Sequence, residues 1–91
     1  MYKIAFTAKF KKSLKRCEKR GLDSRAMDDV ITLLANGEEL PAKHRAHALH
    51  GDYEGYMECH ITPNWLLVWK TDSTELILIM VDTGTHSDIF G

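Results

Sequence analysis

Two stretches in the first half of the chain carry apolar residues at helical spacing. The first covers residues 7–20 and begins at Thr7, a residue that favours helix N-caps. The second covers residues 24–36 and is closed by Gly37. The apolar stripes are Phe10, Leu14 and Cys17 in the first stretch, and Met27, Val30, Ile31 and Leu34 in the second. Together they predict a hairpin of two amphipathic helices.

Strand-like patterns lie before and after these helices. Residues 2–6 predict a short strand, and residues 53–61 alternate between apolar and polar positions. Residues 65–70 predict the next strand, after a turn at Pro63-Asn64. Residues 71–74 read as a hairpin turn.

The last strand is predicted at residues 76–81, which are continuously apolar, and we expect it to be central and buried on both faces. The resulting order is β-α-α-β-β-β. We therefore expect an α+β fold in which the N-terminal helical hairpin packs on one face of a small, mainly antiparallel sheet. The other face, or the rim, is left for function.

The bulk composition is that of an ordinary globular domain. With 91 residues, 44 % hydrophobic and 27 % charged, the chain is expected to form one domain, residues 1–91. It has no apolar run near 18 residues, and its start lacks the apolar core of a signal peptide, so the cytoplasm is the expected compartment. Cys17 and Cys59 are expected to be buried free thiols.

The net charge of −1 hides a division between the two halves. Residues 1–47 carry eleven Lys and Arg against six Asp and Glu, whereas residues 48–91 carry only Lys70 against seven acids. The first predicted helix holds most of the cations: Lys9, Lys11, Lys12, Lys15, Arg16, Lys19 and Arg20. Such a run forms either a solvated face or a surface that contacts a phosphate backbone without reading its sequence.

Three of the five histidines are spaced by three residues: His44, His47 and His50. On a helix they would share a face and could bind a metal. The segment follows Pro41 and has no nearby cysteine, which argues against a metal site and favours exposed side chains.

His60 at a strand end, Asn64 just past the turn and His86 after a glycine form a different combination. Two histidines can serve as base and acid on one RNA phosphodiester without a metal. The 2′-hydroxyl would then attack the phosphorus, and the products would be a 2′,3′-cyclic phosphate and a 5′-hydroxyl end.

Several blocks of the sequence resemble a known family. They are His47-Ala48-Leu49-His50-Gly51, Glu54 to Lys70 (EGYMECHITPNWLLVWK), Glu75 to Leu78 and Thr83 to Phe90 (TGTHSDIF). In these blocks the chain resembles the YafQ branch of the RelE/ParE toxin superfamily, and the β-α-α-β-β-β order also matches. The resemblance implies a toxin of a bacterial toxin–antitoxin pair that cuts mRNA in the ribosomal A site.

The resemblance also implies roles for individual residues. His47, His60 and His86 match the catalytic histidines of the family, with Asn64 beside them. Phe90 matches a C-terminal aromatic that contacts a base, although such a residue also commonly belongs to the core. Lys70 and position 82 would bind substrate.

The resemblance further implies partners. The basic first helix would dock on ribosomal RNA, and an antitoxin would cover the site and regulate the shared operon. No cofactor or metal is implied.

Two positions depart from the family pattern. Asn64 stands where the family usually has Asp, and an amide cannot accept a proton. Asp82 stands where it usually has Arg, so a charge that would attract phosphate is replaced by one that repels it. One alternative is therefore a weakened homologue that acts mainly through its antitoxin. Another is a gyrase inhibitor of the ParE type, against which the three histidines argue.

Overall fold

A computed structural model describes all 91 residues. Its strands are β1 (Lys3–Phe6), β2 (His47–Ala48), β3 (Met57–Thr62), β4 (Trp65–Asp72) and β5 (Ile77–Gly84), and its helices are α1 (Ala8–Lys19), α2 (Ser24–Ala35) and α3 (His86–Phe90). Two single 3₁₀ turns lie at Ala42–His44 and Gly51–Tyr53. The five strands form one sheet in the order β1-β5-β4-β3-β2, in which only the β1–β5 pair is parallel. The predicted fold class is confirmed.

The two long helices begin at side-chain caps. The Thr7 hydroxyl accepts a hydrogen bond from the Phe10 amide at 3.0 Å, and the Asp23 carboxylate accepts one from the Arg25 amide at 2.9 Å. Each cap satisfies an amide that the first helical turn leaves without a partner. The boundaries therefore fall within a residue of the predicted ones.

The main core lies between the helical hairpin and one face of the sheet. Both helices contribute their apolar stripes, and the strands contribute Cys59, Ile61, Trp65, Leu67, Trp69, Leu78 and Met80. The opposite face carries a smaller cluster of Leu66, Val68 and Ile89, with Tyr56 and Phe90 packed beside it. This second face is covered by α3 and by Leu49 and Tyr56 of the segment that joins β2 to β3.

Three sequence predictions about the strands are wrong. The strand predicted at 53–61 begins only at Met57, because the chain makes a 3₁₀ turn at 51–53 and passes through Gly55 at φ +92°. The hairpin turn falls at 73–76, where the Asp72 carboxylate accepts hydrogen bonds from the amides of Thr74 and Glu75.

Strand β5 accordingly begins after Leu76, which has a positive φ of 56° and is half exposed. Its burial alternates: Leu78 and Met80 are buried, but Ile77, Ile79 and Val81 only partly. The fully buried run is β4 instead, from Trp65 to Trp69. The sequence pattern also missed β2 and α3, which have two and five residues and are too short for a periodic signal.

Strand β1 is an edge of the sheet, and Ile4 and Phe6 remain 39 % and 46 % exposed there. None of the helices is long and apolar enough to span a membrane.

Candidate active site

A polar cleft of about 480 Å³ lies at the rim of the sheet. Its walls are His60, Pro63, Asn64, Leu66, Thr85, His86 and Ser87. The strand register explains this convergence, because His60 lies opposite Leu66 and Leu66 lies opposite Gly84. Two strand spacings of about 4.8 Å thus separate the backbone at His60 from the start of α3. The cleft therefore brings His86 together with His60 and Asn64, which precede it by more than twenty residues in the sequence.

His60 is held in one tautomer by the turn that follows it. Its Nδ1 lies 3.2 Å from the Pro63 carbonyl oxygen, which can only accept, so Nδ1 carries the hydrogen. In the neutral ring Nε2 is then free to accept a proton. The backbone carbonyl of His60 also accepts a hydrogen bond from His44 Nδ1 at 2.6 Å. His44 thus connects the 3₁₀ turn at Ala42–His44 to the end of β3 by a hydrogen bond.

His86 is the first residue of α3 and is exposed. Its ring centroid lies 4.9 Å from that of Phe90, one helical turn later, and Phe90 in turn packs edge-on against Tyr53 at 5.1 Å. Phe90 is half-buried in this aromatic group, so it both packs against the second face and leaves part of its ring accessible.

His47 lies on the same face of the sheet but not in the wall of the cleft. It pairs with Glu58 across β2 and β3, and Glu58 is two residues from His60. Its Nδ1 donates to the Arg45 carbonyl at 2.7 Å, and its Nε2 lies 3.3 Å from Glu58 Oε1. The ring thus lies between the Arg45 carbonyl and the Glu58 carboxylate.

Glu58 was not predicted as a site residue. It is only 4 % exposed, and its second carboxylate oxygen has no hydrogen-bond partner. A buried carboxylate oxygen without a hydrogen-bond partner is costly, and this one belongs to the residue that pairs with His47. Glu58 lies on the polar side of a strand that alternates between apolar and polar residues. That pattern predicts an exposed side chain, so nothing in the sequence singles it out.

Lys70 also lies on this face, two residues beyond Val68 along β4. Its ammonium group is exposed and stands 5.9 Å from the centre of the Tyr56 ring. It is the single cation in the second half of the sequence.

Asp82 is directed away from the cleft, toward α1. The Ser13 hydroxyl donates to its carboxylate at 2.7 Å, the Thr83 amide donates at 2.9 Å, and Lys9 Nζ lies 3.5 Å away. The side chain is only 6 % exposed. Its charge is therefore compensated inside the molecule and does not line the cleft beside His60 and His86.

The cations of α1 divide into two groups. Lys9 is paired with Asp82, and Arg20 contacts Asp88 of α3 at 2.6 Å. The other five are exposed and lie in no ion pair: Lys11, Lys12, Lys15, Arg16 and Lys19.

The three histidines spaced by three residues do not converge. His44 and His47 make the contacts given above, and His50 Nδ1 lies 3.7 Å from Glu54. No group of three or more His, Cys, Asp or Glu side chains is arranged to hold a metal ion.

Fold and cleft together define a small α+β protein with a histidine-lined site at the rim of a five-stranded sheet. The family model described as a bacterial toxin of type II toxin–antitoxin systems, YafQ, matches residues 2–91. The chain belongs to this YafQ family.

Relatives of known name agree with this assignment. The chain is 35 % identical to the mRNA interferase toxin YafQ of Escherichia coli K12 over 89 residues, which is 97 % of this chain and 95 % of the relative. The toxin in the E. coli DinJ–YafQ complex superposes with a TM-score of 0.90 at 33 % identity, covering both chains completely. A metal-bound toxin from Helicobacter pylori superposes with a TM-score of 0.93 at 36 % identity, over 99 % of this chain and all of that one.

Proposed function

We propose that this chain is an mRNA interferase that cuts mRNA in the ribosomal A site. One observation carries the proposal: His60, Asn64 and His86 line the same polar cleft. The name of the E. coli relative, which covers nearly the whole chain, supports the same reaction class.

In the proposed reaction a histidine removes the proton of the RNA 2′-hydroxyl, and the resulting oxygen attacks the adjacent phosphorus. The bond to the 5′-oxygen breaks, and a protonated histidine supplies the proton that this leaving group needs. His60 can accept the first proton, because Nδ1–H is held by Pro63 and Nε2 is free. His86, and His47 beside the Glu58 carboxylate, are the candidates for donating the second.

The remaining residues of this face would bind the RNA. Phe90 offers a partly exposed ring beside His86 for stacking on a base, and Lys70 offers a positive charge for a phosphate. The five unpaired cations of α1 would contact ribosomal RNA. Lys9 and Arg20 are less available for that contact, since both already face carboxylates.

The internal pairing of Asp82 bears on how active the enzyme is. An aspartate in the cleft would repel the scissile phosphate, but this one is buried against Ser13 and Lys9. The cleft itself gains no positive charge at position 82, so Lys70 and the histidines would have to supply it.

The partner proposed for this chain is an antitoxin protein that covers the cleft and controls the common operon. A crystal structure of the E. coli DinJ–YafQ toxin–antitoxin complex supports the presence of an antitoxin partner.

The test of the enzymatic proposal is primer-extension mapping of mRNA in a reconstituted translation reaction. We expect cuts within codons, only when ribosomes are present, and a loss of at least about 100-fold for His60→Ala and for His86→Ala, the range of a lost acid or base. His50→Ala is the matched control, since His50 is exposed and outside the cleft. Equal cleavage by His86→Ala and the parent would refute the catalytic assignment.

A second candidate function is a weakened toxin that acts mainly by binding its antitoxin. The amide of Asn64 in the cleft favours it, because an amide cannot stabilise a protonated histidine by charge. Under this hypothesis the parent does not arrest growth, whereas Asn64→Asp, which adds the charge in the cleft itself, does. Unchanged growth on expression of a folded Asn64→Asp variant would count against it.

A further inference from the structure

We infer that Arg20 is a positioning residue for His86, which it holds in place through a clamp on Asp88. The inference rests on the proposed role of His86 in RNA cleavage. It assigns to the last cation of the basic helix a role other than contact with ribosomal RNA.

The clamp is a two-point contact between α1 and α3. Arg20 Nη1 donates to Asp88 Oδ2 at 2.6 Å, and Nη2 donates to Oδ1 at 3.3 Å. A guanidinium that meets a carboxylate through two parallel hydrogen bonds fixes orientation as well as distance. The two residues are separated by 68 positions in sequence, so the contact ties distant parts of the chain together.

The same carboxylate also organises the start of α3. Asp88 Oδ2 accepts from the Thr85 amide at 2.9 Å, and the Thr85 hydroxyl accepts from the Asp88 amide at 3.2 Å. This reciprocal capping box encloses His86 directly, because His86 lies between its two members. Arg20 therefore acts on the peptide that carries the proposed catalytic ring.

Helix α3 needs such an anchor because it is very short. It has five residues, and an isolated helix of that length is not stable in water. The other anchors lie further along it: Tyr53 donates to the Ile89 carbonyl at 3.2 Å, and Phe90 packs on Tyr53. Arg20–Asp88 is the side-chain ion pair of this helix, and among these anchored residues Asp88 is the nearest to His86 in sequence.

The absence of a side chain at Gly84 leaves room for the Asp88 carboxylate. A Cβ on Gly84 would lie 2.8 Å from Asp88 Cβ and 2.9 Å from its Oδ2. The glycine thus lets the carboxylate fold back over the end of β5, where Arg20 reaches it.

The test is a double-mutant cycle with Arg20→Gln and Asp88→Asn, the latter chosen because the amide oxygen it introduces keeps an acceptor for the Thr85 amide. Each single variant is expected to lower kcat for ribosome-dependent cleavage by about 10-fold while KM changes less than about two-fold, because misplacement of a reacting group lowers turnover. The double variant is expected to match the single ones, since both remove one interaction. Arg20→Lys keeps the charge without the paired geometry and is expected to restore activity only in part.

Two further measurements separate this inference from the proposed function. The ring signals of His86 in the NMR spectrum of the free chain should move in Arg20→Gln and Asp88→Asn toward those of a histidine that rotates freely and no longer contacts the Phe90 ring. This readout needs no activity, so it tests the clamp even if the parent proves unable to cleave RNA. Arg25→Gln is the control, because it breaks an Arg–Asp pair outside the cleft and should leave kcat and the His86 signals unchanged.

Unchanged His86 signals in both single variants would overturn the clamp. Additive losses in the double variant would overturn it as well, because they would mean that Arg20 acts independently of Asp88, as a residue contacting RNA does.

Discussion

Gly84 is the residue at which β5 passes into α3, and a side chain there would collide with Asp88. Gly84→Ala is therefore expected to displace α3, lower cleavage by about 100-fold through misplacement of His86, and reduce stability. Gly55→Ala is a matched control, because Gly55 also has a positive φ, of 92°, but has no atom within 4 Å of an added Cβ. It should lose stability from backbone strain yet keep its activity. Equal activity losses in both variants would contradict the steric argument.

The two cysteines are buried thiols that the cleft does not use. Burial, with a smaller contribution from the charge of Glu58, raises the pKa of Cys59 to about 12, and burial also raises the pKa of Cys17. The thiolate is the reactive form, so neither residue should react with a thiol reagent at pH 8 in the folded chain. Ellman's reagent is expected to count no thiols before denaturation and two after it. Rapid labelling of the native chain would show that one of these side chains is accessible.

A buried hydrogen bond from Ser13 to Asp82 joins α1 to β5. Ser13→Ala leaves a carboxylate that is only 6 % exposed with one donor fewer, which should cost about 1–3 kcal/mol in the free energy of unfolding. Urea denaturation gives this value directly. Ser73→Ala, in the exposed hairpin turn, is the control and should change it little. A Ser13→Ala variant as stable as the parent would mean that Lys9 and the Thr83 amide suffice for Asp82.

The contact between α1 and α3 should make stability depend on pH in the acid range. The Arg20 guanidinium, with the Thr85 amide, holds the pKa of Asp88 well below its usual range. Because the folded value lies below the unfolded one of about 3.9, the contact stabilises the fold above that pH and loses its effect as the pH falls. Between pH 6 and pH 2.5 the urea midpoint should drop further in the parent than in Asp88→Asn. Asp52→Asn, which removes an exposed carboxylate outside any ion pair, should behave like the parent.

These elements also show what the sequence allows one to predict. Helices α1 and α2 were predictable because Thr7 and Asp23 cap them and their apolar stripes repeat over three turns. Helix α3 was not, since it is held by a capping box and by Arg20 rather than by a periodic stripe. Local sequence carries no information on a contact 68 residues away.

The candidate site divides in the same way. His60 and His86 could be named from their motifs. Glu58 is buried, and Asp82 is directed toward Ser13. Both features depend on packing between elements that are distant in sequence, so the residue types alone do not predict them. The site roles themselves stay predictions until the histidine variants are measured.

For the whole molecule, the net charge of −1 misrepresents the surface that a ribosome would meet. Most acids lie in the second half of the sequence, and two of them, Asp82 and Asp88, neutralise the two ends of α1. The five cations between those ends remain unpaired. The molecule thus presents one basic helix, with its positive charge concentrated on the exposed side of α1, rather than a uniformly neutral surface.

Binding to ribosomes should therefore depend steeply on salt, although the chain is slightly acidic overall. Each cation that contacts a phosphate contributes about 0.7–0.9 to the slope of log K against log salt concentration, through release of counterions. Lys12→Gln or Lys15→Gln should each reduce that slope by about 1 if the residue touches RNA. Lys9→Gln is the matched control on the same helix and should reduce the slope less, because Asp82 already compensates the charge of Lys9.

Titrations of labelled chain with ribosomes between 50 and 300 mM KCl measure these slopes. The parent is replaced by His60→Ala, and each lysine variant also carries His60→Ala, so that no mRNA is cut. A parent slope near zero would exclude the basic helix from the interface, and equal reductions by all three variants would mean that Lys9 leaves Asp82 on binding.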